Sequence, residues 1–239
     1  MRVIASISGY FGLVVANAVF ASLVLVFGLL ESRGRLWWPM GRMWGRTILA
    51  GSLSRLKTEG FERLEWNQPA ILMANHESYM DVPSIIAACP VPLRFVARKE
   101  VFKAPIMGAA MRATGQICVD RSNRERSIAS LQAAASTIAE GRTVLLFPEG
   151  TRSFDGALQA FKKGGFMLAL QAQVPIIPVG IDGTGAIAPR GDWLFCPGRV
   201  RVVVGDPIPT AGLSLEDRDA LMERVRAGLL CAQTRAKAL

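Results

Sequence analysis

Residues 3–30 carry no charged side chain, and no other feature constrains the chain as much. Coiled as a helix, such a run would reach about 42 Å at about 1.5 Å per residue, whereas a hydrocarbon core of about 30 Å needs only about 20 residues. The segment therefore either spans a bilayer or bends at Gly9, Gly12 or Asn17 and re-enters. Ala16-Asn17-Ala18 has the small-x-small form of a signal cleavage site, but the apolar run continues well past it, which argues for a retained segment. Arg33, Arg35, Arg42 and Arg46 follow the run, against Arg2 and the α-amino group before it. By the positive-inside rule the remainder of the chain lies at the cytoplasmic face of the inner membrane. Trp37, Trp38 and Trp44 stand among these arginines, and tryptophan favours the headgroup layer, so residues 36–56 are expected on the membrane surface. A helix packed on a soluble domain is the alternative. The expected division is a membrane-anchoring unit at 1–56 and a globular domain at 57–239.

Lys plus Arg number 28 and Asp plus Glu 19, a net charge of +9, which favours anionic partners: acidic lipid, a phosphorylated substrate or nucleic acid. With 51% hydrophobic residues and no zinc-finger or RNA-binding signature, the chain points to membrane and away from nucleic acid. Cys89, Cys118, Cys196 and Cys231 are widely separated and read as reduced structural thiols. A single histidine excludes a His-rich metal site, and no metal is expected.

After residue 56, short apolar runs alternate with helical stretches. Residues 70–74, 93–97, 116–119, 143–147, 174–181 and 200–204 read as strands, most of them apolar enough to be buried on both faces. Residues 82–88, 106–113, 124–140, 165–171 and 215–232 read as helices, with Ser214 as an N-cap and Gly141 as a stop. This alternation predicts an α/β fold with a mixed, largely parallel sheet flanked by helices, preceded by the membrane-embedded helical segment. In such folds functional residues gather at loops where strands end.

Two such loops carry reactive residue types. The first is Asn75-His76-Glu77-Ser78-Tyr79-Met80-Asp81. His76 is the one side chain whose ordinary pKa lies near neutrality, and Asp81, five positions on, suits a histidine just before a helix with an aspartate in its first turn. Taken alone, the pattern also fits an isolated loop or core histidine. The second is Phe147-Pro148-Glu149-Gly150-Thr151-Arg152-Ser153, where a guanidinium fork for phosphate sits beside a glycine that lets backbone N–H groups approach a ligand. Further basic sites are Asp120-Arg121 at the end of a strand and Lys162-Lys163-Gly164-Gly165 at the start of a helix.

With these residues the sequence resembles the glycerolipid acyltransferase family, and specifically the bacterial 1-acylglycerol-3-phosphate (lysophosphatidate) acyltransferases. Four ordered blocks carry the resemblance: the His-x4-Asp block at 75–81, Gly115 to Arg121 ending in arginine, Phe147 to Ser153, and the proline-bearing Val174-Pro175-Ile176-Ile177-Pro178-Val179-Gly180. The match covers roughly residues 70–181.

The resemblance implies a membrane-bound enzyme that moves an acyl group from a thioester, on coenzyme A or acyl carrier protein, to the hydroxyl of a lysophospholipid. His76 would be the general base and Asp81 its orienting partner. Arg121, Arg152, Lys162, Lys163 and Lys99 would grip the acceptor phosphate, and Glu149, Gly150 and Thr151 would orient the substrate or stabilise the oxyanion. The proline-bearing block would be structural support near the acyl path, its prolines favouring an edge or a bulge. No cofactor is implied beyond the acyl thioester co-substrate. Lysophosphatidate is the leading acceptor; glycerol 3-phosphate, another lysophospholipid or a lyso-aminolipid are rivals within the family. A membrane thioesterase or lysophospholipase and a non-catalytic module for anionic lipid are rivals outside it. A serine acyl-enzyme through Ser78 is disfavoured, because the Gly-x-Ser-x-Gly elbow is missing.

Overall fold

Six apolar runs and one polar edge segment build, among the described residues, one sheet of seven strands: β1 (Arg55–Glu59), β2 (Ile71–Ala74), β3 (Leu93–Arg98), β4 (Ile117–Val119), β5 (Thr143–Leu146), β6 (Ile176–Asp182) and β7 (Arg199–Val204). The structure is a computed structural model that describes residues 1–31, 33–119 and 124–239. The strand order is β1-β7-β6-β2-β5-β3-β4, and every neighbouring pair is parallel except β6 with β7. This is the mixed, largely parallel sheet that the alternation of apolar runs and helices predicts.

The helices are α1 (Arg2–Val15), α2 (Ala21–Leu30), α3 (Trp38–Gly51), α4 (Asp81–Ala88), α5 (Pro105–Ala113), α6 (Arg124–Ala139), α7 (Gly164–Ala172), the single turn α8 (Thr184–Ile187) and α9 (Arg218–Ala238). β2 is the middle strand, and all four of its residues are buried. Because strand side chains alternate, Leu72 and Ala74 join an apolar cluster with Trp38, Ile85 and Val202. Ile71 and Met73 join the opposite cluster, with Phe166, Ile138 and Val225. The sheet thus separates two cores, one under α3 and α4, the other under α6, α7 and α9. Gly180 in β6 brings α9 close: a Cβ there would lie 2.2 Å from the Ala232 backbone.

Three features differ from the sequence reading. β1 is an additional strand; its polar Arg-Leu-Lys-Thr-Glu run lacks an apolar signal because it is an edge strand paired with β7 alone. Pro178 lies within β6, an interior strand, and not at a sheet edge; it stands just where the β7 ladder stops, with its carbonyl accepting the Gly205 N–H at 2.8 Å. Trp37 and Trp38 do not face outward to a headgroup layer. They are 2% and 4% exposed, and Trp38 Nε1 donates to the Cys89 carbonyl at 3.2 Å. Burying two indoles against the α/β domain removes more apolar area from water than a surface position would, so the helix-on-domain alternative describes these two residues.

Arg2 to Leu30 form one 29-residue helix, in which a π turn at Ala16–Phe20 joins α1 to α2. By length and composition it is apolar enough to cross a membrane. It is also built into the domain at both ends. In α1, Ser8 Oγ donates to the Gly51 carbonyl of α3 at 2.6 Å. In α2, Gly28 fits against Ala113 and Thr114 at the end of α5. In the π turn Ala16 is buried, and Asn17 accepts a hydrogen bond from Trp44 Nε1 at 3.4 Å.

Candidate active site

β2 and β5 are parallel neighbours, so their carboxyl ends deliver two loops side by side. The first loop carries His76, and Asp81 opens α4. The two side chains meet: His76 Nδ1 lies 2.7 Å from Asp81 Oδ2. Asp81 is fully buried. Its Oδ2 also accepts the Glu77 and Ser78 N–H groups at 2.8 and 2.9 Å, and Thr184 Oγ1 of α8 donates to Oδ1. So many donors hold the Asp81 carboxyl group in one place, and the tautomer that gives Nδ1–H to it is the one that leaves Nε2 free to accept a proton. The ring is 19% exposed and stacks on Phe147, centroids 4.0 Å apart.

The second loop braces the first. Glu149 is buried, with Oε1 accepting the His76 N–H and Oε2 the Gln159 N–H, both at 2.8 Å. Burial pushes its carboxyl up, against the pull of those two N–H bonds. The Ser153 N–H donates to the His76 carbonyl at 2.7 Å. The backbone of His76 is therefore held on both sides by the 147–153 block. Gly150 has φ 72°, which an L side chain rarely adopts, and its N–H closes the turn onto the Phe147 carbonyl at 3.0 Å.

Two further residues complete the frame. Asn75 is pinned to β6 through its side chain, Oδ1 accepting the Ile181 N–H at 2.7 Å and Nδ2 donating to the Ile181 carbonyl at 2.9 Å. The residue that directly follows the proline-bearing block thus grips the histidine loop. Glu77 accepts from Asn75 Nδ2 and from Gln233 Nε2 of α9, each at 3.1 Å. Burial first, then the negative charges of Asp81 and Asp182, push its carboxyl up to about 7.

An apolar cavity of about 320 Å³ opens beside this frame. Phe147 and Tyr79 line it from the active-site side, Trp37 and Trp44 from the α3 region, and Ala21 and Val24 from α2. A second cavity, of about 340 Å³, shares Phe147 and adds Pro148, Gly150, Lys162 and Gly165. Arg152 lies over the Tyr79 ring, its guanidinium carbon 3.8 Å from the centroid. Gly150 and Lys162 line the second cavity, His76 reaches both cavities through the Phe147 ring it stacks on, Asp81 and Glu149 are buried against His76, and Arg152 stands over Tyr79 at the wall of the first. Thr151 is exposed beside them. Lys163 is exposed just ahead of α7, and Lys99 is half-buried where its N–H meets the Val119 carbonyl at 3.2 Å; neither lines the two cavities. Arg121 lies outside the described residues. Thr184, Gln159 and Gln233 were not visible as site residues in the sequence, because each reaches the loops only through tertiary contact.

A histidine oriented by a buried carboxylate, with an apolar cavity and basic side chains nearby, is chemically able to take a proton from a hydroxyl beside an apolar group. The family model described as Acyltransferase matches residues 55–182, more than half of the chain, and the chain belongs to that family. It is 35% identical over 164 residues to a 1-acyl-sn-glycerol-3-phosphate acyltransferase of Chlamydomonas reinhardtii, covering 68% of this chain and 49% of that one. It is 33% identical over 177 residues to the alpha 1-acyl-sn-glycerol-3-phosphate acyltransferase of Ovis aries, covering 74% and 62%. The chain thus spans about half to three-fifths of the length of these relatives. Among solved structures, the 1-acyl-sn-glycerophosphate acyltransferase PlsC of Thermotoga maritima superposes with a TM-score of 0.86 at 28% identity, over 100% of this chain and 97% of that one.

Proposed function

We propose that the chain is a membrane-bound acyltransferase that moves an acyl group from coenzyme A or acyl carrier protein to the sn-2 hydroxyl of lysophosphatidate, giving phosphatidate. One observation carries the reading: the His76–Asp81 pair stands on Phe147, and Phe147 walls an apolar cavity large enough to receive part of an acyl chain. The names of the similar proteins favour the same acceptor.

In this mechanism the acceptor hydroxyl attacks the thioester carbonyl carbon while His76 Nε2 takes its proton. Asp81 steadies the imidazolium that forms without taking the proton itself. The tetrahedral adduct then expels the thiolate, which recovers the proton from His76. The nucleophile is the substrate's own oxygen, so no acyl-enzyme is formed and the proton is handled without a cofactor. Arg152 and Lys162 supply positive charge to the acceptor phosphate by charge-assisted hydrogen bonds. Glu149 acts through His76, holding the backbone that aims the ring.

The first 56 residues form the anchor in this reading. Because α1 packs on α3 and α2 on α5, the long helix lies along the domain, with its free face in the cytoplasmic leaflet. The donor and acceptor chains then reach the cavity without full exposure to water, which would cost about 0.8 kcal/mol per methylene.

The test is transfer of a labelled acyl group from each donor to lysophosphatidate, glycerol 3-phosphate, lysophosphatidylcholine and water, with H76A as control. Phosphatidate formation that drops about 10²–10⁴-fold in the folded variant is expected. Transfer only to another acceptor would replace the substrate, and acyl release to water alone would make the protein a thioesterase.

A further inference from the structure

The three most exposed aromatic side chains of the described residues are Trp193 at 82%, Phe154 at 80% and Tyr79 at 75%. Tyr79 and Phe154 are joined by a chain of arginine contacts, and Trp193 stands on the loop that carries the second of those arginines. Arg152 covers the Tyr79 ring, Arg190 Nη1 donates to the Arg152 carbonyl at 3.2 Å, and the Arg190 guanidinium covers the Phe154 ring at 3.9 Å. Trp193 follows three residues later on the loop after α8. This loop is fastened to α1 at four points: an Arg2–Asp192 ion pair, Tyr10 OH donating to the Trp193 carbonyl at 2.8 Å, the Phe195 N–H donating to Ser6 Oγ at 2.9 Å, and the Tyr10 and Phe195 rings meeting edge-on. At its other end the loop holds the histidine loop, where the Ala188 carbonyl accepts from Ser78 Oγ at 3.1 Å.

Exposed rings that alternate with arginines suit one environment better than water. Aromatic rings favour the interfacial layer of a bilayer, and guanidinium groups favour its anionic phosphates. The line also continues an apolar surface: it meets α1 beside the exposed Ile7 and Phe11, and through Tyr79 it shares a cavity wall with Ala21 and Val24 of α2. We infer that the Tyr79–Arg152–Phe154–Arg190–Trp193 ridge is a second lipid-contact surface that, together with the N-terminal helix, seats the active-site mouth on an anionic bilayer. The inference rests on the membrane placement proposed above. It gives the 188–196 loop a positioning role, joining the depth of Trp193 in the headgroup layer to the catalytic loop.

The test uses the full chain and vesicles of phosphatidylcholine and phosphatidylglycerol, with and without brominated acyl chains. Trp193→Phe keeps the ring but removes its emission, so the difference between wild-type and W193F spectra reports Trp193 alone. Quenching of that difference by the brominated vesicles is expected. An unquenched difference in vesicle-bound protein overturns the inference while leaving the anchoring helix in place. The W193A/F154A double variant should bind the vesicles about tenfold more weakly, from the lost burial of two large rings. Its turnover of a short-chain acceptor dissolved as monomers should match wild type. Vesicle binding equal to wild type also overturns the inference. Quenching in a wild type that transfers no acyl group to any acceptor would sustain the ridge and sink the proposed function instead.

Discussion

The two loops at the ends of β2 and β5 use their polar groups in opposite ways. In the histidine loop nearly every side chain is committed: Asp81 accepts from His76, Glu77, Ser78 and Thr184, and Asn75 is tied by both its atoms to Ile181. In the 147–153 loop only Glu149 and Ser153 turn inward to brace His76, while Thr151 is exposed and Arg152 rests on the exposed Tyr79 ring. Under the proposed function the contrast follows from what each loop would have to do. A proton acceptor must be aimed before the substrate arrives, because misplacement by about 1 Å can cost about 10²-fold in rate. In the same proposal a cation that grips a phosphate must still reach a ligand entering from a membrane, and among the described residues Arg152 rests on a ring face.

If that division is right, damage to the rigid loop should appear in kcat and damage to the arginine in KM. The largest effect is expected for Asp81→Asn, which preserves shape but lets the imidazole take the wrong tautomer: kcat should fall about 10⁴-fold, read by steady-state transfer. A loss under tenfold would show that Asp81 does not set the ring. Glu149→Ala comes next, leaving the His76 and Gln159 N–H groups without their acceptor. It should lower kcat about 10–100-fold at nearly constant KM and cost about 2 kcal/mol in denaturant unfolding. A rise in KM alone would instead make Glu149 a substrate contact. Arg152→Ala should raise KM for lysophosphatidate about tenfold and leave kcat within a few-fold; an unchanged KM would assign Arg152 to the ridge and not to the acceptor.

The smallest effect concerns stability and comes from Glu77 at the border of the rigid loop. Its carboxyl is pushed up from 4.5 to about 7, so between those values the folded chain keeps a proton that the unfolded chain has lost. Stability should therefore fall as pH rises through that window and level off above it. Glu77→Gln keeps an acceptor for Gln233 and removes the slope. The variant should match wild type near pH 4 and exceed it by about 1 kcal/mol at pH 8, after allowing for partial exposure. Identical pH profiles for the two proteins in chemical unfolding would remove Glu77 from the account.

Legibility in the sequence tracked how local each feature is. The apolar runs of β2 and β5 announced themselves because both faces of those strands are buried. The Ser214 cap was readable because its partner Asp217 is three residues away, although it caps a short 3-10 turn ahead of α9. β1 was not readable, since an edge strand needs no apolar code, and its identity depends on β7, which lies some 140 residues further along the chain. The tryptophans at the start of α3, Trp37 at its N-cap and Trp38, misled for a related reason: Trp among Arg describes a helix at a lipid surface and a helix docked on a domain equally well. Only the fit of α3 against α4, where a Cβ on Gly45 would lie 2.4 Å from the Pro83 carbonyl, decides between them for Trp37 and Trp38.

By itself the sequence determined the chemistry on offer: a histidine and an aspartate five positions apart, a glutamate and an arginine in one turn, and a long uncharged N-terminal helix. These follow from short-range spacing, which helix and turn geometry translate directly into neighbouring side chains. Tertiary structure decided what holds those groups. Thr184 reaches Asp81 across 103 residues, Glu149 reaches His76 across 73, and Gln233 reaches Glu77 across 156. Such contacts depend on the order in which the strands join the sheet and on the helices laid over it, and the free energy that selects that order is spread over the whole core instead of being written in any one segment.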